Sequence, residues 1–327
     1  MRSFTHERLP QPIDAGDVST FGEDVRFYLQ LEPRQLPSRY LYDALGSSLF
    51  DAICHLPWYR VTRAELRLLE RYAPEIGRML GSGARVVELG SGNGEKLAAL
   101  LTHAGVARVH AHLIDLSGAA LTRSMQTLSA VTVADLDVSV HQATYEDGLL
   151  ALAEVTGYRT LLAFLGSNIG NFDPPGATEF LQLIRAALQP GDYLLLGVDL
   201  VKPERDLLLA YDDPLGVTAA FNKNLLQRIN TELGGDFQLD RFAHRAVWNS
   251  TESRVEMHLL SLAAQDVRIT RAELLFHLHE GETIWTESSY KYPPADIASL
   301  VQGAGFALRE QWIDDQDGFA LTLYEAN

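Results

Sequence analysis

The stretch RVVELGSGNGEK, residues 85–96, joins a short apolar run to a glycine cluster and then to a helix-type run, EKLAALLTHAG. Val86, Val87 and Leu89 suit a strand covered on both faces, and the glycines allow a tight turn with close backbone approach. A helix starting directly after such a turn offers unpaired N–H groups to a polar or anionic ligand. Outward from this stretch the alternation repeats. VHAHLID (109–115) precedes SGAALTRSMQTLSA, DVSVHQ follows at 137–142, TLLAFLGS (160–167) precedes ATEFLQLIRAAL, and DYLLLGVDL closes the series at 192–200. Strands separated by helices predict a mostly parallel, doubly wound α/β sheet that binds its ligand at the carboxyl ends of the strands, where strand order reverses.

On either side the rhythm differs. Residues 1–20, with Pro10, Pro12 and Gly16, read as a loosely held arm, with order beginning near Phe21. From Glu23 to Leu80 apolar residues such as Leu66, Leu69 and Tyr72 recur at helical spacing, broken around Pro57. After Leu200 the stretch from Lys202 to Asn230 reads as helical with an interruption at Gly216, and RVEMHLLSL, ELLFHLH and TIWTESSYKY then predict an antiparallel sheet with one wet face. The first pattern resumes where Pro293 and Pro294 open a helix ending at Gly303 or Gly305. FALREQWID and GFALTLYEA, separated by DQDG, read as a closing hairpin on the sheet edge. The expected organisation is a discontinuous sheet domain, 62–201 with 286–327, and a second α+β substrate-binding domain, 1–61 with 202–285.

Composition bounds the function. The 327 residues carry 27 Lys plus Arg against 43 Asp plus Glu, a net charge of −16, which disfavours nucleic acid as a partner. Cys54 is the only cysteine, so neither an intrachain disulfide nor a Cys-rich zinc site can form. No H-E-x-x-H set or G-x-S-x-G elbow is present, and His103, His110, His112, His141 and His277 are scattered, so no metal is expected. No apolar run approaches the ~20 residues of a membrane span, and the opening residues lack a signal-peptide core. The expectation is a soluble, cytoplasmic monomer acting on a small molecule, with no membrane partner.

The chemistry concentrates around the glycine cluster. Asp115 ends the next strand 27 residues after Glu88, where a carboxylate can accept hydrogen bonds from both ribose hydroxyls of a nucleoside cofactor. The spacing Glu88-x-Gly90-x-Gly92-x-Gly94 places glycines at every second residue, unlike the dinucleotide fingerprint, and resembles motif I of S-adenosylmethionine-dependent methyltransferases. That family has a seven-stranded sheet closed by a hairpin after a helix ending in A-G-F, here Ala304-Gly305-Phe306.

Longer strings narrow the match. YLYDALGSSLFDAICHLPWYRVTRAE (40–65), VVELGSGNGEK (86–96), FLGSNIGNF (164–172), LLLGVDLVK (194–202), AYDDPLGVTAAFNKNLL (210–226) and RVEMHL (254–259) resemble the histidine Nα-methyltransferases of ergothioneine biosynthesis. The resemblance implies that Tyr59, Asn171 and Tyr211 hold the carboxylate and amine of L-histidine, and that Glu287 and Ser289 contact its imidazole. Residues two apart on a strand face one side, so both can reach one ring. Met257 and Phe50 match apolar pocket positions, and Tyr42 a further polar one. For the cofactor it implies Tyr59 near the reaction centre, the Gly90–Gly94 turn and Lys96 around the methionine part, and Asp115 on the ribose. The family often has Ser in place of Gly94, a change expected to matter little, and Asp before an aromatic where this chain has Thr144 and Tyr145, near the adenine.

The implied activity is transfer of three methyl groups to the α-amine of histidine, giving hercynine. One proton must leave the α-ammonium before each transfer; Tyr42, Tyr59 and water are all candidates to take it. Two alternatives stand beside this: methylation of another amine such as a tryptophan derivative, against which Glu287 discriminates because an indole has no basic nitrogen, and a non-catalytic nucleoside-binding module.

Overall fold

The computed structural model describes residues 15–151 and 157–327. Most of the arm expected at 1–20 lies outside the described residues, but its last part does not. A helix, α1, already runs over Ala15–Leu29, so order begins six residues before Phe21. Phe21, Val25 and Leu29, at four-residue spacing, are buried and anchor it.

In chain order the further elements are α2 (Ala44–Cys54), α3 (Val61–Leu80), β1 (Gly83–Leu89), α4 (Glu95–Ala104), β2 (Arg108–Asp115), α5 (Gly118–Ser129), β3 (Asp135–Gln142) and α6 (Tyr145–Ala151). They continue with β4 (Arg159–Phe164), α7 (Pro174–Ala187), β5 (Tyr193–Asp199), α8 (Glu204–Tyr211), α9 (Val217–Leu233), β6 (Phe242–Asn249) and β7 (Arg254–Ser261). The last are β8 (Gln265–Ile269), β9 (Leu274–Leu278), β10 (Thr283–Tyr290), α10 (Pro294–Gly303), β11 (Phe306–Asp314) and β12 (Phe319–Ala326).

The chain forms two compact units, one from Arg60–Val201 with Tyr290–Asn327, the other from the described residues of Gln11–Tyr59 with Lys202–Ser289. The first holds the expected seven-stranded sheet, in the order β11-β12-β5-β4-β1-β2-β3. β1 pairs in parallel with β2 and with β4, while β12 runs antiparallel to β5 and β11 to β12. Strand order therefore reverses between β1 and β4. Ala84 to Leu89 are all buried, as are Thr160 to Phe164 and the whole of β5, which marks a sheet covered on both faces. One side of the core joins Leu89, Phe164, Leu196 and Val198 to Phe180, Leu181 and Ile184 of α7 and to Ile297 and Val301 of α10. Each such side chain contributes about 1.5–3 kcal/mol on burial. Asp173 caps α7, its Oδ1 accepting the Gly176 N–H at 2.8 Å, and Pro174 opens the helix.

In the second unit the expected interruption at Gly216 is the αL residue, φ 75°, that starts α9. β7 alternates buried and half-exposed residues and pairs antiparallel with β6 in the three-stranded sheet β10-β7-β6, while β8 and β9 form a separate ladder. β6 and β8 are additions to the elements expected. β6 is partly exposed on both faces and so lacks a clear alternation, and β8 has only five residues.

Within the first unit α3 and α4 touch backbone to backbone at Gly77, where an added Cβ would lie 1.8 Å from the Ala104 carbonyl oxygen. Rigid backbone cannot yield there, so Gly77→Ala is expected to destabilise the protein by at least about 2 kcal/mol. A urea melt with an unchanged midpoint would show that the helices have room to part.

Candidate active site

The turn after β1 folds over the end of β2. Gly90 donates its N–H to the Ile114 carbonyl at 2.8 Å, and the Gly92 N–H reaches Asp115 Oδ2 at 3.0 Å. The other Asp115 oxygen takes the Ser117 N–H at 2.9 Å. Each carboxylate oxygen has two acceptor sites, so Asp115 can fix both turns and still accept further donors. Burial raises its pKa, against the lowering effect of these N–H bonds. Gly90, Gly92 and Gly94 all have positive φ, at 73°, 54° and 78°. A Cβ at Gly92 would meet nothing within 4 Å, so this turn is open to a ligand, but one at Gly94 would lie 2.8 Å from the Ser124 Cα. Serine at 94 is thus not the small change expected: α5 would have to shift.

Glu88, at the end of β1, is 1% exposed, and its Oε2 has no hydrogen-bond partner. Burial pushes its carboxyl up to about 8, opposed by the Lys96 ammonium and reinforced by Glu65 and Asp115. Thr144 is engaged locally: its hydroxyl accepts the Asp147 N–H at 3.2 Å and donates to Asp147 Oδ2 at 3.1 Å, starting α6. Tyr145 packs its ring against Phe164 and Phe180, at 5.5 and 5.6 Å between centroids. Its hydroxyl lies 2.8 Å from where a Gly90 Cβ would stand, so Tyr145 borders the glycine turn. Asn171 ends a short 3-10 turn after β4, which is held where the Asp199 N–H donates to Ser167 Oγ at 3.0 Å. Asp199 is itself paired with Lys291 at 3.1 Å, both fully buried.

An orphaned buried carboxyl oxygen, a carboxylate with spare acceptor sites at the end of β2, and a glycine turn with open space fit an amino-acid nucleoside. Residues 21–326 match the family described as histidine-specific methyltransferase, SAM-dependent. The chain belongs to this family. The methyltransferase is 40% identical over 301 residues to a histidine N-alpha-methyltransferase of Mycolicibacterium smegmatis, covering 92% of this chain and 93% of that one. It is 38% identical over 319 residues to a protein of the same name from Mycobacterium tuberculosis, covering 95% and 96%. A more distant similarity, 27% over 323 residues with 90% and 89% covered, is to an L-tryptophan methyltransferase of Psilocybe serbica. S-adenosylmethionine is the cofactor of this methyltransferase.

The second unit of the methyltransferase gathers most of the remaining residues of interest. Tyr42 lies edge-on to Phe50 and to Phe221, each at 5.5 Å, Phe50 lies 6.2 Å from Tyr59, and Tyr59 6.4 Å from Tyr211. The Tyr211 hydroxyl bonds the Ser289 hydroxyl at 2.8 Å, bringing the end of β10 to this cluster. Glu287 stands two residues earlier on β10, half-buried, and Met257 is buried on β7. Asn171 belongs to the first unit.

Three neighbours were not foreseen. Phe221 joins the ring cluster directly. His244 donates from Nε2 to the Tyr211 carbonyl at 2.7 Å, and its Nδ1 accepts from Asn222 Nδ2 at 2.9 Å. Burial lowers the His244 pKa, which keeps the ring neutral and suits this tautomer. Asn222 also donates to the His258 carbonyl at 3.2 Å. Phe221 and Asn222 lie in the quoted string 210–226, yet only tertiary packing assigns them a partner. Among the described residues no group of three His, Cys, Asp or Glu is placed to hold a metal ion, and no helix is long and apolar enough to cross a membrane.

Because the folded Glu88 carboxyl keeps its proton up to about pH 8 while the unfolded one releases it above about pH 4.5, the folded state binds the extra proton. Stability is then lost as pH rises between these values. Glu88→Gln removes the titration. In ligand-free protein its stability relative to wild type is expected to improve from pH 5 to pH 8 by on the order of a few kcal/mol; parallel pH profiles in denaturant melts would refute the assignment.

Proposed function

We propose that the protein transfers three methyl groups in turn from S-adenosylmethionine to the α-amine of L-histidine, giving hercynine, the reaction that opens ergothioneine biosynthesis. The observation that carries the substrate reading is the bonding of Tyr211 to Ser289 within the ring cluster of Tyr42, Phe50 and Tyr59, with Glu287 two residues from Ser289 on the same strand. Tyrosine hydroxyls suit a carboxylate, and a carboxylate with a serine hydroxyl suits the two polar nitrogens of an imidazole.

The cofactor supplies a methyl group on a sulfonium, already a good leaving group. What remains for the chain is to orient a neutral amine and keep water from it. Tyr59, Tyr211 and Asn171 hold the carboxylate and amine, while Glu287 and Ser289 hold the ring, with Met257 and Phe50 as apolar walls. Tyr42, Tyr59 or water takes the proton. Aromatic faces of Tyr42, Phe50 and Tyr59 attract the growing cation as methyl groups accumulate, which supports three transfers rather than one. Lys96, Asp115 and the Gly90–Gly94 turn hold the cofactor, with Glu88, Thr144 and Tyr145 beside it. The rival reading, a tryptophan-type amine, draws on the likeness to the Psilocybe enzyme; the half-buried carboxylate at Glu287 argues against it, since an indole offers one N–H and no basic nitrogen to pair with the charge.

Mass spectrometry of the protein with S-adenosylmethionine and each of the twenty amino acids tests the reading directly. Histidine alone is expected to gain up to three methyl groups; trimethyl-tryptophan as the main product would overturn it. Removing the ring partner while leaving the backbone contacts costs about 1–3 kcal/mol, so Glu287→Ala is expected to lower kcat/KM for histidine by about ten- to several-hundred-fold. Cofactor affinity without histidine should hardly change. Asn171→Ala, acting on the common carboxylate and amine, should slow every amino acid the pocket accepts. Wild-type kinetics from Glu287→Ala would move the imidazole pocket elsewhere.

A further inference from the structure

Glu65, on α3, ends the string 40–65, and nothing in the sequence assigned it a role. Its side chain is completely buried in the sheet unit. A carboxylate there is costly unless paired and hydrogen-bonded, and Glu65 is both. Each of its oxygens lies 2.9 Å from the Gly166 N–H, and Oε2 lies 2.8 Å from Lys96 Nζ. Two glycines make room for the pair. A Cβ on Gly197 of β5 would stand 1.9 Å from Glu65 Oε1, and one on Gly166 would stand 2.6 Å from Lys96 Nζ. Gly166 also needs its left-handed backbone, φ 77°.

The position of the pair matters. Lys96 is the second residue of α4, directly behind the glycine turn of β1, and Gly166 lies in the turn that follows β4. Glu65 therefore ties together the two turns that leave the sheet where strand order reverses. The Lys96 side chain keeps 23% of its surface exposed and that of Glu65 none, so the pair meets solvent only through the lysine. A free lysine is a point charge on a flexible four-carbon stem; one whose charge is already fixed by a buried partner loses less freedom when a ligand arrives. The unpartnered Oε2 of Glu88 lies nearby, close enough for its carboxyl to feel both Lys96 and Glu65. A cation and an acceptor side by side suit the carboxylate and ammonium of an amino acid.

We propose that Glu65 is a positioning residue for cofactor binding: it holds the Lys96 ammonium where the carboxylate of the methionine part of S-adenosylmethionine arrives, and pins the Gly166 turn in the same contact. This rests on Lys96 being a cofactor contact. Glu65 itself touches neither substrate nor cofactor; it acts through Lys96.

The test is calorimetric titration of the full chain, without amino acid, using S-adenosylmethionine and, separately, methylthioadenosine, which keeps the nucleoside and thioether but lacks the carboxylate and amine. Lys96→Met and Glu65→Gln are each expected to weaken S-adenosylmethionine binding by about ten-fold or more, a loss of about 1.4 kcal/mol or more. Methylthioadenosine affinity should stay within about two-fold. In the double variant, Glu65→Gln should add little to Lys96→Met, because no ammonium remains to be placed. Unchanged affinity in Lys96→Met would overturn the cofactor role of Lys96 itself. A normal Lys96→Met loss combined with no effect of Glu65→Gln, an equal loss for methylthioadenosine, or additive effects would overturn the role of Glu65 alone. If Glu65→Gln does not fold, Glu65→Asp, which withdraws the carboxylate from Lys96, should give the same selective loss; failure of both to fold would make Glu65 a core residue and overturn the proposal.

Discussion

Reversal of strand order between β1 and β4 is the constraint from which the sheet unit follows. Two adjacent parallel strands send their chains off to opposite faces, so the turns beyond their carboxyl ends diverge and leave backbone N–H groups uncovered. Polar groups collect there: Glu88 is the last residue but one of β1, Asp115 closes β2, and the turn 166–171 follows β4. The sheet beneath is dry on both faces, so charges at this level cannot be solvated and must be paired. Among the described residues, Glu65 with Lys96 and Asp199 with Lys291 are pairs that meet the requirement. Glu65 braces the 166–171 turn through the Gly166 N–H, and the backbone N–H of Asp199 braces it through Ser167 Oγ. Glu88 is the exception, with one oxygen unpartnered, and its raised pKa is the energetic trace of that.

The second unit solves a different problem. Its ring cluster supplies apolar surface in a fixed geometry, since edge-to-face rings restrict one another. Tyr211 is held at both ends, by His244 at its carbonyl and by Ser289 at its hydroxyl. Asn222 in turn fixes the tautomer of His244. A buried polar chain of this kind stiffens what it holds, although Asn222 Oδ1 at its far end has no hydrogen-bond partner. It gives a phenol that would otherwise sit among rings a defined direction for its one polar atom.

Much of this was readable in the residues alone, for identifiable reasons. The βα rhythm shows because a parallel sheet writes near-continuous apolar runs between glycine and helix signals, and the long strings that resemble the family pointed to Tyr59, Asn171 and Tyr211 as candidates. What escaped was set by partners distant in sequence. Glu65 looks like any surface glutamate of an amphipathic helix until Gly166 and Lys96 are placed against it. Asn222 and His244 are 22 residues apart and meet only through packing. β6, half-buried on both faces, has no clear alternation, and the helix from Ala15 begins among residues whose composition suggested a loose arm. Gly94 escaped in another way. Its turn was legible, but the nearness of α5 was not.

Gly197 carries a consequence for the divergence of relatives. A glycine inside a central strand gives up side-chain packing and rigidity, a loss that is offset where a neighbour occupies the space. Glu65 Oε1 fills that space, 1.9 Å from where the missing Cβ would be. Neither position can drift alone: a side chain at 197 evicts the glutamate, and losing the glutamate leaves a void at the glycine. The two should therefore change together across lineages or not at all, which makes this pair, rather than either residue, the unit of inheritance.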